Sequence, residues 1–404
     1  SEEALTPDAR YTMYHPSEVE LGKTTREVLA EAARIQPQRL VVDSLSEIRM
    51  LAGNPLRYRR QILALKHHFT KQDTTVIFVD DRTTNAQDKH LHSLAHGVIM
   101  MDRSTADYGT IRRRIEISKL RGQAFREGFH DFQIQRGGIE VYPRLVAAEH
   151  RRVHGGPVIE SGLARLDSLM GGGISRGTST LITGAAGTGK SSLVSQYVKA
   201  AVEREEHAAL FLFDESIATF FERSTGLGIE IEQYVEAGKI SLRPVDPAEL
   251  TPGEFAHSLR EIVERNHSTI LVIDSLNGYL NAMPSDRFLA LHLHELLTYL
   301  GHKGVTTLLT MTQHGLVGST VEVPLDVSYF ADSVILLRYF EAFGEVKQAT
   351  SVIKKRTGRH ERTIRELRME KGIQVGEPLR DFRGVLTGVP EYVGRSQPDL
   401  ERGQ

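Results

Sequence analysis

Residues 184–191, Gly184-Ala185-Ala186-Gly187-Thr188-Gly189-Lys190-Ser191, followed by Ser192, have the types and spacing to hold phosphate. Glycines let consecutive backbone N–H groups curl around phosphate oxygens, and a following helix N-terminus adds partial positive charge. In this pattern Lys190 reaches the β- and γ-phosphates and the Ser191 hydroxyl coordinates Mg²⁺. A chance match in a chain this long is on the order of a per cent. Asp274 closes the apolar run Leu271-Val272-Ile273. A carboxylate there sits in the crevice beyond parallel strands, where it can hold the Mg²⁺ shell. The adjacent acids Asp214 and Glu215 end another apolar run. One can orient or deprotonate an attacking water while the other caps the next helix, and spacing does not assign the two roles. Gln313, ending a third run, is placed to sense a γ-phosphate.

Such groups must be positioned by a sheet. The pattern predicts strands at 178–183, 208–214, 269–274 and 305–312, with helices at 190–203, 217–226, 252–266 and 287–302. β-rich segments follow at 332–340, 348–355 and 363–370. Apolar strands separated by helical patterns predict an α/β fold: a mostly parallel sheet flanked by helices, ending in antiparallel strands.

The chain also repeats itself. Residues 39–45 (RLVVDSL) match 270–276 (ILVIDSL), so Asp43 is the twin of Asp274 and a second candidate metal ligand. In the same order, 74–81 match 306–313, 97–103 match 332–338, 113–122 match 349–358, and 132–141 match 364–375. Five ordered matches at near-equal spacing indicate a tandem duplication. Lys190 precedes Asp274 by 84 residues. The same spacing applied to Asp43 puts the first copy's phosphate loop roughly 40 residues before residue 1. Residues 1–150 are therefore expected to be the C-terminal portion of a first domain, its phosphate-loop part absent. Residues 151–392 are expected to form a complete second domain and 393–404 a tail, with the basic stretch 149–157 as linker.

Composition bounds these expectations. The 404 residues are 40% hydrophobic and 25% charged, the balance of a soluble globular protein. No apolar run approaches the roughly 18 residues that span a bilayer. The absence of cysteine excludes disulfides and thiolate metal sites and fits a cytoplasmic protein. With 50 basic and 52 acidic residues, the chain does not have the balance of a dedicated nucleic-acid binder. His90, His92, His96, His292 and His294 lack the spacing of a metal site.

Together GAAGTGKSSL, LFDES, LVIDSL, the segment VIKKRTGRHERTIREL and the duplication resemble the KaiC-like double-domain ATPases of the RecA superfamily. The resemblance spans nearly the whole chain. It implies tandem RecA-like P-loop domains stacked as two rings of a homohexamer, ATP or ADP with Mg²⁺ between neighbouring subunits, and regulatory protein partners. It sets Asp214 and Glu215 where a catalytic Glu-Glu pair lies. It makes Lys354 and Arg356, with Lys119 and Arg121 in the first copy, basic fingers that reach a neighbour's phosphates. Ser328 and Tyr329 occupy the place of a Ser-Thr phosphoacceptor pair, which implies serine autophosphorylation at Ser328. The chain departs from the family pattern at Asp214, at Leu227 (where an aromatic is expected) and at Tyr329. Two alternatives use the same motifs. A DNA recombinase or helicase would need a basic loop after Gln313, yet 314–331 carry two acids, one histidine and no lysine or arginine. A nucleotide-gated assembly scaffold would need only slow hydrolysis.

Overall fold

The computed structural model describes residues 16–81, 89–105, 109–150, 156–281, 289–313, 327–387 and 390–394. Contacts divide the chain into two compact units, Ser1–Ile99 with Ile117–Arg126, and Met100–Glu116 with Glu127–Gln404.

In the first unit the order is α1 (Pro16–Ile35), β1 (Arg39–Asp43), α2 (Leu45–Ala52), α3 (Pro55–Thr70), β2 (Thr75–Val79) and α4 (Lys89–Leu94). Strands β1 and β2 pair in parallel, Arg39 opposite Thr75 and Asp43 opposite Val79. Helix α3 starts where Asn54 accepts a hydrogen bond from the Leu56 amide and Pro55 needs no partner for a missing N–H. Its apolar stripe, Tyr58, Ile62, Leu65 and Phe69, is buried. Strands β3 (Gly97–Ser104) and β4 (Arg112–Leu120) fall in both units. They form a four-stranded sheet, β3-β4-β5-β6, with β5 (His130–Gln135) and β6 (Gly138–Tyr142).

The second unit continues with α5 (Ala164–Leu169), β7 (Ser179–Gly184), α6 (Lys190–Glu203), β8 (Ala208–Leu212), α7 (Ile217–Gly226), α8 (Glu232–Glu236) and β9 (Ile240–Pro244). Then come α9 (Pro252–Asn266), β10 (Ile270–Asp274), α10 (Leu276–Asn281), α11 (Leu289–His302) and β11 (Thr306–Thr312). The strands β12 (Ser333–Ala342), β13 (Glu345–Lys355), β14 (Arg365–Met369), β15 (Ile373–Pro378), β16 (Phe382–Arg383) and β17 (Glu391–Tyr392) finish the chain. Nine strands form one sheet in the order β15-β14-β13-β12-β7-β11-β10-β8-β9. From β12 to β9 neighbours run parallel, and β12 to β15 run antiparallel. The tandem RecA-like α/β reading therefore holds: parallel strands and helices carry the fold, with antiparallel strands after them.

Strands β7, β8 and β10 are buried along their whole length, which their unbroken apolar character demands. One face is covered by α6, through Leu193, Val194, Tyr197 and Val198. The other is covered by α9 and α11, through Phe255, Leu259, Leu293 and Leu300. The sequence pattern missed β9, whose Ile240-Ser241-Leu242-Arg243-Pro244 is short, half-exposed and ends in proline. Those are the marks of an edge strand, which needs no full apolar run. Strand β8 also stops at Leu212, two residues before the expected end, so Asp214 and Glu215 lie in the turn beyond it.

The linker core 151–155, most of the 314–331 loop and the tail from 395 lie outside the described residues, as does the side chain of His90. Among the described residues no helix is long and apolar enough to cross a membrane.

Candidate nucleotide site

The phosphate-loop pattern falls between β7 and α6, as its chemistry requires. Gly187 and Gly189 have φ of +78° and +91°, a left-handed backbone that glycine adopts without a Cβ clash. A Cβ on Gly184 would lie 2.3 Å from the Leu337 carbonyl oxygen, and one on Gly189 would lie 2.1 Å from Met369 Cε. Ala185 is buried and Ala186 exposed at the tip. Thr188 is buried, its hydroxyl donating to the Ala185 carbonyl at 2.8 Å. Lys190 Nζ folds over the loop and donates to the carbonyls of Gly184 (3.1 Å) and Ala185 (2.8 Å). Burial pulls the Lys190 pKa down, while the charges of Asp274 and Asp214 push it back up. Ser191 stands half-buried in the first turn of α6, with Ser192 buried beside it.

Asp274 is buried at the end of β10. Its Oδ1 accepts from the Thr310 hydroxyl, whereas its buried Oδ2 meets no donor among the described residues. A desolvated carboxylate oxygen without a hydrogen bond is costly unless a cation compensates it. One carboxylate, one hydroxyl and substrate phosphates suit Mg²⁺, which seldom takes an all-protein cage. Its twin Asp43 ends β1 of the first unit, where it is exposed. The peptide bonds Asp43–Ser44 and Asp274–Ser275 are both cis.

The two acids after β8 part company. Asp214 Oδ2 accepts from the Ser275 hydroxyl, which follows Asp274 directly. Glu215 instead pairs with Arg223 of α7, at 2.5 Å from Nη2 to Oε1 and 3.4 Å from Nε to Oε2. Neither acid caps α7. Ser216 does, its hydroxyl accepting from the Thr219 amide. The expected division, one acid for chemistry and one for capping, is thus replaced by a serine cap, so that neither carboxylate is spent on the amides at the start of α7.

Gln313 follows β11, and its backbone N–H donates to the Gly184 carbonyl at 3.0 Å, which ties its main chain to the start of the phosphate loop. Sequence reasoning overlooked Asn277. Its Oδ1 accepts from the Thr312 amide at 2.6 Å and its Nδ2 donates to the Thr312 carbonyl at 3.1 Å, locking α10 to the end of β11. Leu227 closes α7 and packs against the core on the α6 face.

The two K-x-R segments behave alike. Lys354 Nζ donates to the Ser328 carbonyl at 2.7 Å and Arg356 Nη2 to the Tyr329 carbonyl at 2.8 Å. Within the first unit, Lys119 Nζ donates to the His92 carbonyl at 2.6 Å and Arg121 Nη2 to the Ser93 carbonyl at 3.0 Å. Ser93 and Ser328 each lie four residues ahead of their matched strand segments, which begin at Gly97 and Asp332. Lys355 points the other way, donating to the carbonyls of Met170 and Gly173, and burial pulls its pKa down.

A phosphate loop between strand and helix, an acid at the end of the parallel strand two places away and a glutamine just after the strand between them define a RecA-type P-loop nucleotide-binding protein. The family model described as ATPase: KaiC matches residues 3–146 and 159–380, and the chain belongs to that family. It is 26% identical over 392 residues to the circadian clock protein KaiC3 of Synechocystis sp., covering 96% of this chain and 77% of that protein. It is 25% identical over 394 residues to the circadian clock oscillator protein KaiC of Acaryochloris marina, covering 95% and 74%. With the KaiC of Synechococcus elongatus it shares 25% over 364 residues, 89% of this chain and 70% of that protein.

Proposed function

We propose that this KaiC-family ATPase binds ATP at the loop between β7 and α6 and hydrolyses it with Mg²⁺. One observation carries the reading: Lys190 sits within electrostatic reach of both Asp274 and Asp214, at the C-terminal edge of the parallel strands. The loop amides and Lys190 would bind the β- and γ-phosphates, and Ser191 with Asp274 Oδ2 would hold the metal. Bound Mg²⁺ would neutralise charge on the phosphate oxygens. Asp214 and Glu215 are the candidate proton acceptors, and Gln313 would sense the γ-phosphate.

The finer reading is a ring, a homohexamer with ATP at the subunit interfaces and Lys354, Arg356, Lys119 and Arg121 turned to a neighbour's phosphates. It includes phosphate transfer to Ser328 and regulatory protein partners. The exposed turn at Ser328 and Tyr329, flanked by Lys354 and Arg356, supports the transfer.

The test is phosphate release from ATP with and without Mg²⁺, for the wild type, Lys190→Ala and Asp274→Asn, with native mass measured with and without ATP. Turnover that needs Mg²⁺ and falls at least ~100-fold in both variants is expected. Equal turnover in wild type and Lys190→Ala would overturn the assignment of the site. A mass that stays monomeric with ATP would overturn the ring.

A further inference from the structure

The acid pair holds an asymmetry that the motif does not contain. Both oxygens of Glu215 face one guanidinium, and Arg223 also brings Nη1 to 3.4 Å from the Ser192 hydroxyl. The same guanidinium lies over the Phe220 ring, 5.2 Å from its centroid. Arg223 is therefore held on three sides: by α6 just past the phosphate loop, by an aromatic of its own helix, and by Glu215. About four-fifths of the Glu215 side chain and three-quarters of the Arg223 side chain are shielded from solvent. A guanidinium stays charged at any working pH, and a charge-assisted pair so shielded is harder to open than an exposed one.

Asp214 has the opposite surroundings. One oxygen is fixed by Ser275, next to the candidate metal ligand. The other faces Gly278, where a Cβ would lie 2.9 Å away, and no donor among the described residues contacts it. Asp214 also contributes, with Asp274, to the negative charge that Lys190 feels.

We infer that Arg223 is a positioning residue that latches Glu215 away from the phosphates, leaving Asp214 as the acid that takes the proton of the attacking water. The inference rests on the hydrolytic reading above. In the step, the water oxygen forms a bond to the γ-phosphorus and the bond from that phosphorus to the β,γ-bridging oxygen breaks. ADP and inorganic phosphate result, and the water proton passes to the Asp214 carboxylate and then to solvent.

The latch makes a demand that a merely structural arginine does not. Asp214→Asn should lower kcat at least ~100-fold with a small change in KM, because only proton acceptance is lost. Glu215→Gln should cost less than about tenfold. Adding Arg223→Gln to Asp214→Asn releases a carboxylate next to the lost one and should raise kcat several-fold above that of Asp214→Asn alone. Arg223→Lys, which keeps the charge, should give no such recovery. Circular dichroism and native mass identify any variant that does not fold, and Asp214→Glu, which retains a carboxylate, should keep more activity than Asp214→Asn. A larger loss in Glu215→Gln than in Asp214→Asn overturns the inference. So does the absence of recovery in the Arg223→Gln double variant. Wild-type turnover no higher than that of Lys190→Ala would sink the hydrolytic reading itself, and this inference with it.

Discussion

The turn entering β7 is fastened by a pair whose contribution should depend on pH in a calculable way. Arg176 contacts both oxygens of Glu206, at 2.9 and 2.8 Å. The hydroxyl of Thr269 and the guanidinium of Arg204 also donate to Glu206. Burial pushes the Glu206 carboxyl up, but the hydrogen bonds from Arg176, Thr269 and Arg204 outweigh it and hold the group at about 2. An unfolded glutamate titrates near 4.3, so the shift is roughly 2 units, worth about 3 kcal/mol at 1.36 kcal/mol per unit. Because the folded pKa is depressed, that stability is fully present above the unfolded value. It drains away as pH falls through the folded one. Glu206→Gln removes the titration and leaves Arg176 without its counter-charge. At pH 7 the variant should be less stable by about 3 kcal/mol in urea unfolding followed by circular dichroism. By about pH 3 roughly half of that gap should have closed. A gap that stays constant from pH 7 to pH 3 would refute the assignment of the depressed carboxyl to Glu206.

Two further expectations concern packing. The Tyr197 hydroxyl is buried without a hydrogen-bond partner among the described residues, and burial drives its pKa far up, with the Asp167 charge adding to the effect. Tyr197→Phe should then be neutral or stabilising by up to about 1 kcal/mol, and a loss of more than that in urea unfolding would show an overlooked partner. Gly278→Ala would set a methyl 2.5 Å from Phe213 Cβ and 2.9 Å from Asp214 Oδ1. It should cost about 1–3 kcal/mol and lower ATP turnover, and a variant with wild-type stability and rate would contradict the close approach.

What could be read in the sequence was what depends on neighbours along the chain. The glycines and lysine of residues 184–191 declare a phosphate loop, and the apolar runs ending at Asp274 and Asp43 declare strands with an acid at the tip. The duplication made the second of these legible by comparison with the first. What could not be read depends on which side chain meets which across the fold. Arg223 reaches Glu215 only because Ser216 starts a helix between them. Asn277 holds Thr312 across two elements, and Met369 crowds Gly189 from a strand far along the chain. No local pattern encodes such meetings. Strand β9 escaped because an edge position relaxes the demand for apolar residues on both faces.

The basic pairs at the ends of β4 and β13 bear on how freely such a protein can change. Their hydrogen bonds to the turn go to main-chain carbonyls, at His92 and Ser93 in one copy and at Ser328 and Tyr329 in the other, and Arg356 also lies 3.5 Å from the Asp332 carboxylate. A carbonyl survives every substitution of the side chain it carries, so mutation of the turn cannot delete the docking point. The lysine, the arginine and, beside Arg356, the Asp332 carboxylate are the side chains to retain. The turn is left free to take up a histidine, a serine or a tyrosine, and to acquire new chemistry without disturbing what grips it.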